Sequence, residues 1–287
     1  MKLVTDAAAN ITPERAAELG VEVVPFQVMF MNKTYRDGVD IAPGELYRMY
    51  TEHPDEYAQT SQPAVGDFLA VYDKVDDAEE ILSIHLSSGL SGTYSSAEHA
   101  ARMHPEKKVT IIDTRTVGPA LGWIVEAASY GIKHGWSKER ILEVIQKIRD
   151  NTITMVSFNN MKYLIRSGRV NHIKSIMASI LHIKPIIGMN YENGLYSNVG
   201  AEMTVRRAAR KMVNVVHERF GNQKLRLQLM HGDNLAGAEL LKEVVHETLD
   251  VIEEKLVAVT LVLGAHAGPT VVGLAAAPQA MFDQLYA

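Results

Sequence analysis

Residues 81–103 read ILSIHLSSGLSGTYSSAEHAARM. The apolar run from Ile81 to Leu86 has strand character and stops at a cluster of hydroxyls and glycines, Ser87-Ser88-Gly89-Leu90-Ser91-Gly92-Thr93. An alanine-rich helical pattern starts at about Thr93 or Tyr94. A strand that ends in small residues and opens a helix is the repeating unit of parallel α/β sheets. Such sheets take ligands in the crevice beyond the carboxyl ends of their strands.

Working outward, KLVTD (2–6), VEVVPFQVMF (21–30), EILSIHL (80–86) and KVTIID (108–113) have the Val/Ile-rich character of short strands. Helical patterns lie between them: PERAAELG, GELYRMYTE, VGDFLAVYDKV, TYSSAEHAARM and GWIVEAASYGIKHG. This alternation predicts a parallel sheet covered on both faces. SKERILEVIQKIRDNT, with Ser137 as N-cap, leads out of this domain. Beyond it the pattern changes. TITMVSF reads as a strand, and Asn193-Gly194 sits between alternating residues as a hairpin signal. TVRRAARKMVNVVHERFG and AGAELLKEVVHETLD read as helices, KLRLQLMHG as a strand. LVAVTLVLG and TVVGLAAA read as strands flanking a loop, Ala265-His266-Ala267-Gly268-Pro269. The expected fold class is therefore α/β. A three-layer α/β/α domain with a parallel sheet covers residues 1–150, and a two-layer α/β domain with a mixed sheet covers residues 151–287.

Composition narrows the function. The chain has 287 residues, 47% of them hydrophobic, and a formal net charge of −5, so no nucleic-acid partner is expected. No apolar window reaches the length of a membrane span, and MKLVTDAAAN lacks the apolar core of a secretory signal. The absence of cysteine excludes disulfides, thiolate metal sites and a cysteine nucleophile, and a cytoplasmic setting is the expectation.

Ser91 falls one residue short of a hydrolase elbow: G-x-S-x-G needs glycine where this chain has Thr93. A small-residue loop at a strand end, opening a helix, offers N–H groups and a helix dipole to a carboxylate or phosphate. The same residues also make an ordinary helix cap, and both readings stand. Thr60-Ser61-Gln62-Pro63 is a second hydroxyl cluster at an expected helix start. Taken alone it reads better as a cap. If both loops meet at one sheet edge, they make an anion site. His266 has small neighbours, and a protonated imidazole would pair with an anion, while a lone loop histidine is more often structural; both readings stand. No H-E-x-x-H pattern accompanies it, so neither metal nor cofactor is expected. Arg166 and Arg169 bracket a turn, while Arg206, Arg207, Arg210 and Lys211 share a helix and read first as a solvated face. Ile173, Ile176, Met177, Ile180 and Leu181 have helical spacing for one buried stripe, either core or the lining for an apolar ligand.

Five segments taken together resemble the DegV family. They are Thr60-Ser61-Gln62-Pro63, Ser87–Thr93, Tyr163-Leu164-Ile165-Arg166-Ser167-Gly168-Arg169, Lys184-Pro185-Ile186 and His266-Ala267-Gly268-Pro269, in the family's order and spanning nearly the whole chain. The resemblance implies a bacterial two-domain protein that holds one long-chain fatty acid between its domains, as the non-catalytic lipid-binding subunit of a fatty acid kinase. A separate subunit resembling dihydroxyacetone kinases would phosphorylate the carboxylate, and the acyl phosphate would feed phospholipid synthesis. It further implies that Thr60 or Ser61, Ser91 and the backbone at Gly92 hold the carboxylate, with His266 near the same head group. Arg169 and Arg206 match positions on the head-group side or at the kinase-docking surface. Two loops depart from the family pattern. Ala7-Ala8-Ala9 follows Asp6 where the family has Ser, and Asp113–Gly122 runs through Gly118-Pro119 where it favours Ser and paired glycines.

The chain has no G-x-x-x-x-G-K-[ST] loop, so ATP chemistry would come from the partner. Transient membrane contact would serve lipid loading. The alternative class is a serine hydrolase of acyl esters using Ser91 with His266 as base, which requires an oriented carboxylate. A third reading, a binder of phosphorylated metabolites, would call for a polar pocket.

Overall fold

The computed structural model describes residues 1–76, 79–159, 161–170, 183–253 and 255–286. The apolar stripe Ile173–Leu181 lies outside them. The chain forms two compact units, both discontinuous in sequence. The first comprises residues 1–42, 58–150 and 191–195, the second residues 43–57, 151–190 and 196–287. A single cut at residue 150 thus misplaces 43–57 and 191–195, because the chain makes one excursion out of each unit.

Up to residue 150 the elements are β1 (Lys2–Asp6), α1 (Pro13–Leu19), β2 (Val21–Val24), β3 (Gln27–Phe30), β4 (Lys33–Arg36) and α2 (Pro43–Glu52). They continue with β5 (Gln59–Ser61), α3 (Val65–Tyr72), β6 (Glu80–His85), α4 (Thr93–Met103), β7 (Lys108–Asp113), α5 (Pro119–Lys133) and α6 (Lys138–Asp150). All but α2 belong to the first unit. Its main sheet has the order β2-β1-β6-β7, with every pairing parallel. The expected strand 21–30 is two strands. Pro25, which has no N–H to give a ladder, separates them. β2 joins the parallel sheet, and β3 joins a small antiparallel sheet of order β4-β3-β5.

Successive residues of β6 face opposite ways. Ile81, Ser83 and His85 face α3 and α4: Ile81 shares a core with Val4, Phe68, Tyr72, Ala97 and Ala100. On that face four fully buried polar side chains form a chain of hydrogen bonds. The Tyr72 hydroxyl donates to Ser83 Oγ at 2.9 Å, and Ser83 Oγ lies 2.7 Å from His85 Nε2. His85 Nδ1 lies 2.9 Å from Asp6 Oδ2. Asp6 also accepts from Leu86 N at 3.0 Å and Ala8 N at 3.0 Å. One proton placement satisfies every member: Ser83 donates to Nε2, and Nδ1–H donates to the carboxylate. Burial pushes the Tyr72 phenol up to about 12, opposed by its bond to Ser83.

The second unit adds to α2 the elements β8 (Ile153–Ser157), α7 (Lys162–Arg166), β9 (Lys184–Asn190), β10 (Leu195–Glu202), α8 (Val205–Phe220) and β11 (Leu225–His231). Then come α9 (Leu235–Thr248), β12 (Val251–Glu253), β13 (Val257–Ala258), α10 (Leu261–Ala267), β14 (Val272–Pro278) and α11 (Gln279–Tyr286). Its sheet is mixed, of order β10-β9-β8-β14-β11-β12, with β13 also beside β11. Alternate residues Leu225, Leu227, Leu229, Leu274 and Ala276 pack against Met212, Val213 and Val216 of α8 and Leu241, Val244 and Val245 of α9. Of the expected strand 256–264 only Val257–Ala258 is strand, and from Leu261 the chain is helical. A short, fully buried apolar run has no periodicity to separate strand from helix, and here Leu261, Val262 and Ala265 are buried in α10.

Replacing Asp6 by Ala strands three buried donors and should destabilise the chain by about 3–5 kcal/mol. Tyr72→Phe removes only the outer end of the chain of bonds and should cost about 1 kcal/mol. Urea unfolding of the two variants gives the ordering; equal costs would contradict it.

Candidate functional site

In the first unit, the loop after β6 is built on Ser87. Its carbonyl accepts from Leu90 N at 3.1 Å and Ser91 N at 3.2 Å, which folds the chain back on itself before α4. Gly92 occupies the N-cap position of α4, and its carbonyl accepts from Ser96 N at 3.0 Å. Ser91 Oγ accepts from Thr93 N at 3.3 Å and lies 2.8 Å from Thr93 Oγ1. Ser91 does help to cap the helix. When Thr93 Oγ1 is the donor in the bond between the two hydroxyls, Ser91 accepts from Thr93 twice and its own proton is left for a ligand. Capping and anion binding therefore do not exclude each other. Ser91 is partly accessible, whereas Thr93 is fully buried.

Thr60 and Ser61 are not at a helix start. Both lie in β5, opposite Val28 and Gln27 of β3. Helix α3 begins at Val65, and the Asp67 carboxylate accepts from Ala64 N at 2.8 Å. The cap expected from the hydroxyls is thus supplied by a carboxylate further along, and Ser61 is exposed. The two hydroxyl loops nevertheless meet, through a residue that sequence reasoning passed over. Gln62 donates to Ser96 Oγ at 3.1 Å, and its amide lies so close to Gly92 that a Cβ there would come within 2.6 Å of Nε2. No spacing rule announces this contact; Gln62 entered only as part of the Thr60–Pro63 motif.

A Ser-His-Asp series of hydrogen bonds does exist, as Ser83-His85-Asp6, but all three side chains are fully buried and no substrate reaches them. The Ser91 hydroxyl, the accessible one, is bonded to Thr93 and not to an imidazole.

In the second unit, His266 sits in the last turn of α10 and not in a loop. Gly268 follows at φ 75°, its N–H donating to Gly264 O at 2.8 Å, and the Tyr163 ring occupies the space a Cβ would need. His266 keeps some accessible surface yet is densely surrounded by protein. Burial pushes its imidazole down to about 3, and the positive charge of Arg169 adds to that. The ring is therefore neutral at pH 7, a hydrogen-bonding group and not the cation that one reading of the sequence allowed. Burial likewise pushes the Tyr196 phenol up to about 12, opposed by Arg169. Arg169 itself donates to Ser167 O at 2.6 Å. Arg206 is paired with Glu243 at 2.7 Å and Glu247 at 3.5 Å on α9. Arg207 is paired with Glu202, and Arg210 lies 3.9 Å from Glu247, so the basic stripe of α8 is interleaved with carboxylates. Arg166 stacks over Tyr57 at 4.0 Å.

A family model described as "Uncharacterised protein, DegV family" matches residues 1–279. A DegV domain-containing protein of Staphylococcus aureus (strain N315) is 30% identical over 274 residues, covering 95% of this chain and 96% of that one. Among solved structures, one described as fatty acid binding of a DegV family protein from Thermus thermophilus superimposes with a TM-score of 0.88 at 28% identity. That match covers 96% of this chain and 99% of the other. DegV, a fatty acid binding protein from Bacillus subtilis, gives a TM-score of 0.83 at 25% identity over 96% of this chain and 98% of its own. The chain belongs to the DegV family.

Proposed function

We propose that this chain binds a long-chain fatty acid, holds its carboxylate at the Ser87–Thr93 loop, and presents it to a separate ATP-dependent kinase subunit for acyl phosphate formation. The meeting of the two hydroxyl loops at the start of α4 carries this reading. It is supported by the likeness to the Thermus thermophilus protein described as binding fatty acid. Ser91 donates to the acid while accepting from Thr93 Oγ1, Thr60 or Ser61 supplies a second hydroxyl, and the backbone at Gly92 adds an N–H under the positive end of the α4 dipole. His266, as a neutral imidazole, contributes a hydrogen bond. Arg169, whose charge acts on that imidazole, supplies a positive charge. Arg206 belongs to the kinase-docking surface, where a partner's carboxylates would compete with Glu243 and Glu247 for its guanidinium.

Magnitudes separate the tasks. Burying about a dozen methylenes gains on the order of 10 kcal/mol before the costs of binding, at about 0.8 kcal/mol each. A hydrogen bond to a charged group adds only about 1.5–3 kcal/mol. The tail sets affinity, and the hydroxyl loop sets orientation and the preference for an acid.

Mass spectrometry of the gently extracted protein should find a bound fatty acid. Ser91→Ala should weaken binding of added acid roughly tenfold. Repeated failure to find or take up any acyl lipid would overturn the assignment.

His266 predicts a pH dependence of stability. In the unfolded chain its imidazole protonates near the ordinary 6.5, in the folded chain only near 3. Its contribution is complete above 6.5 and is lost as pH falls towards 3. Urea unfolding between pH 4 and 7 should show stability rising with pH, and His266→Gln should flatten that slope.

A further inference from the structure

The loop that carries Ser91 is held on its other side by a device that the proposed function leaves unused. Arg115 has a left-handed backbone, φ 53°, which a side-chain-bearing residue seldom adopts without compensation. The Asp113 carboxylate supplies that compensation. Its Oδ1 accepts from Arg115 N at 3.0 Å and from Ser88 N at 3.1 Å, while Oδ2 accepts from Ser88 Oγ at 2.6 Å. The backbone so fixed directs the Arg115 guanidinium to the turn between β9 and β10, where Nη1 donates to Glu192 O at 2.8 Å and to Tyr191 O at 3.4 Å. Residues 191–195 of that turn belong to the first unit. Two residues on, Gly194 O accepts from Ser87 Oγ at 2.6 Å, and Ser87 Oγ also accepts from Gly89 N at 3.2 Å. A Cβ on Gly89 would come within 2.9 Å of Asn193 O, so the turn lies directly against the loop.

We propose that Arg115 is a positioning residue for the head-group loop. Through the turn at Tyr191–Gly194 it holds Ser87, and Ser87 O in turn sets the backbone of Ser91. This rests on the reading that Ser91 receives the carboxylate. The effect assigned to it is on the geometry of the loop, since the guanidinium's contacts are with the backbone carbonyls of the turn. Arg115 is exposed, so its replacement leaves the core untouched.

The test compares a fatty acid with the fatty alcohol of the same chain length, which lacks the carboxylate. Dissociation constants for both are measured on the intact chain and on Arg115→Ala, Arg115→Lys, Ser91→Ala and the double variant, with thermal melting as a control. Arg115→Ala should weaken acid binding roughly tenfold and leave the alcohol unchanged, with partial recovery in Arg115→Lys. In the Ser91→Ala background it should add nothing. An equal loss for acid and alcohol, or a loss that adds fully to that of Ser91→Ala, overturns the proposal. If Ser91→Ala lowers acid preference while Arg115→Ala does not, the proposal fails and the head-group reading survives. If neither variant changes acid preference, both fall.

Discussion

The carboxylate of Asp6, fully buried at the end of β1, is the constraint on which the first unit is organised. An ion in that position is tolerated only if donors replace its water. Asp6 obtains three: the imidazole of His85 and the N–H groups of Ala8 and Leu86. Each bond fixes something different. Ala8 N sets the tight 3-10 turn over Ala7–Ala9 that follows β1. His85 obliges the inward face of β6 to be polar, which is why Ser83 and Tyr72 are drawn into a core otherwise made of Val, Ile, Phe and Ala. Leu86 N pins the residue that follows β6, so the loop carrying Ser91 departs from a fixed point.

From that point the loop owes its shape to contacts on both flanks. Gly89 and Gly92 are not there for left-handed backbone, since neither has a positive φ. They are there because something else occupies the place of a side chain: backbone carbonyls of the 191–194 turn at Gly89, the Gln62 amide at Gly92. Thr93, in place of the hydrolase glycine, puts a fully buried hydroxyl against Ser91 Oγ. The segment is thus a rigid platform whose outward hydroxyl, Ser91, can be aimed. Such a platform suits a weak but directional contact to an anion whose binding energy comes mostly from its tail.

Much of this was legible in the sequence wherever periodicity and local chemistry act alone. Helix α4 begins where the hydroxyl cluster ends, and the hairpin follows from Asn193-Gly194, with Gly194 at φ 70°. The DegV motifs gave the family. What failed failed for physical reasons. Pro25 divides a continuous apolar run between two sheets, and a buried helix of seven residues reads like a strand. The charged reading of His266 overlooked burial, which no single sequence displays. Gln62, Asp113 and Arg115 escaped notice because their partners lie 25 to 77 positions away, and composition carries no trace of such pairs.

Ala7–Ala9 and Gly118-Pro119, which the sequence reading singled out as departing from the resemblance, lie against each other. Gly118 takes φ 70° and ψ −146°, a conformation open in practice to glycine alone, and its N–H donates to Ala8 O at 2.8 Å. One turn into α5, Gly122 lies so near Ala9 O that a Cβ would come within 2.8 Å of it. The start of α5 is therefore pressed against the 3-10 turn, and Ala7, Ala8 and Ala9 are all buried in that contact. A serine at position 7 would bring a buried hydroxyl that needs its own partner, at a cost of about 1–3 kcal/mol if it found none. Alanine at position 7 removes that requirement. The contacts of Gly118 and Gly122 with Ala8 O and Ala9 O hold the 3-10 turn that leaves β1 next to Asp6.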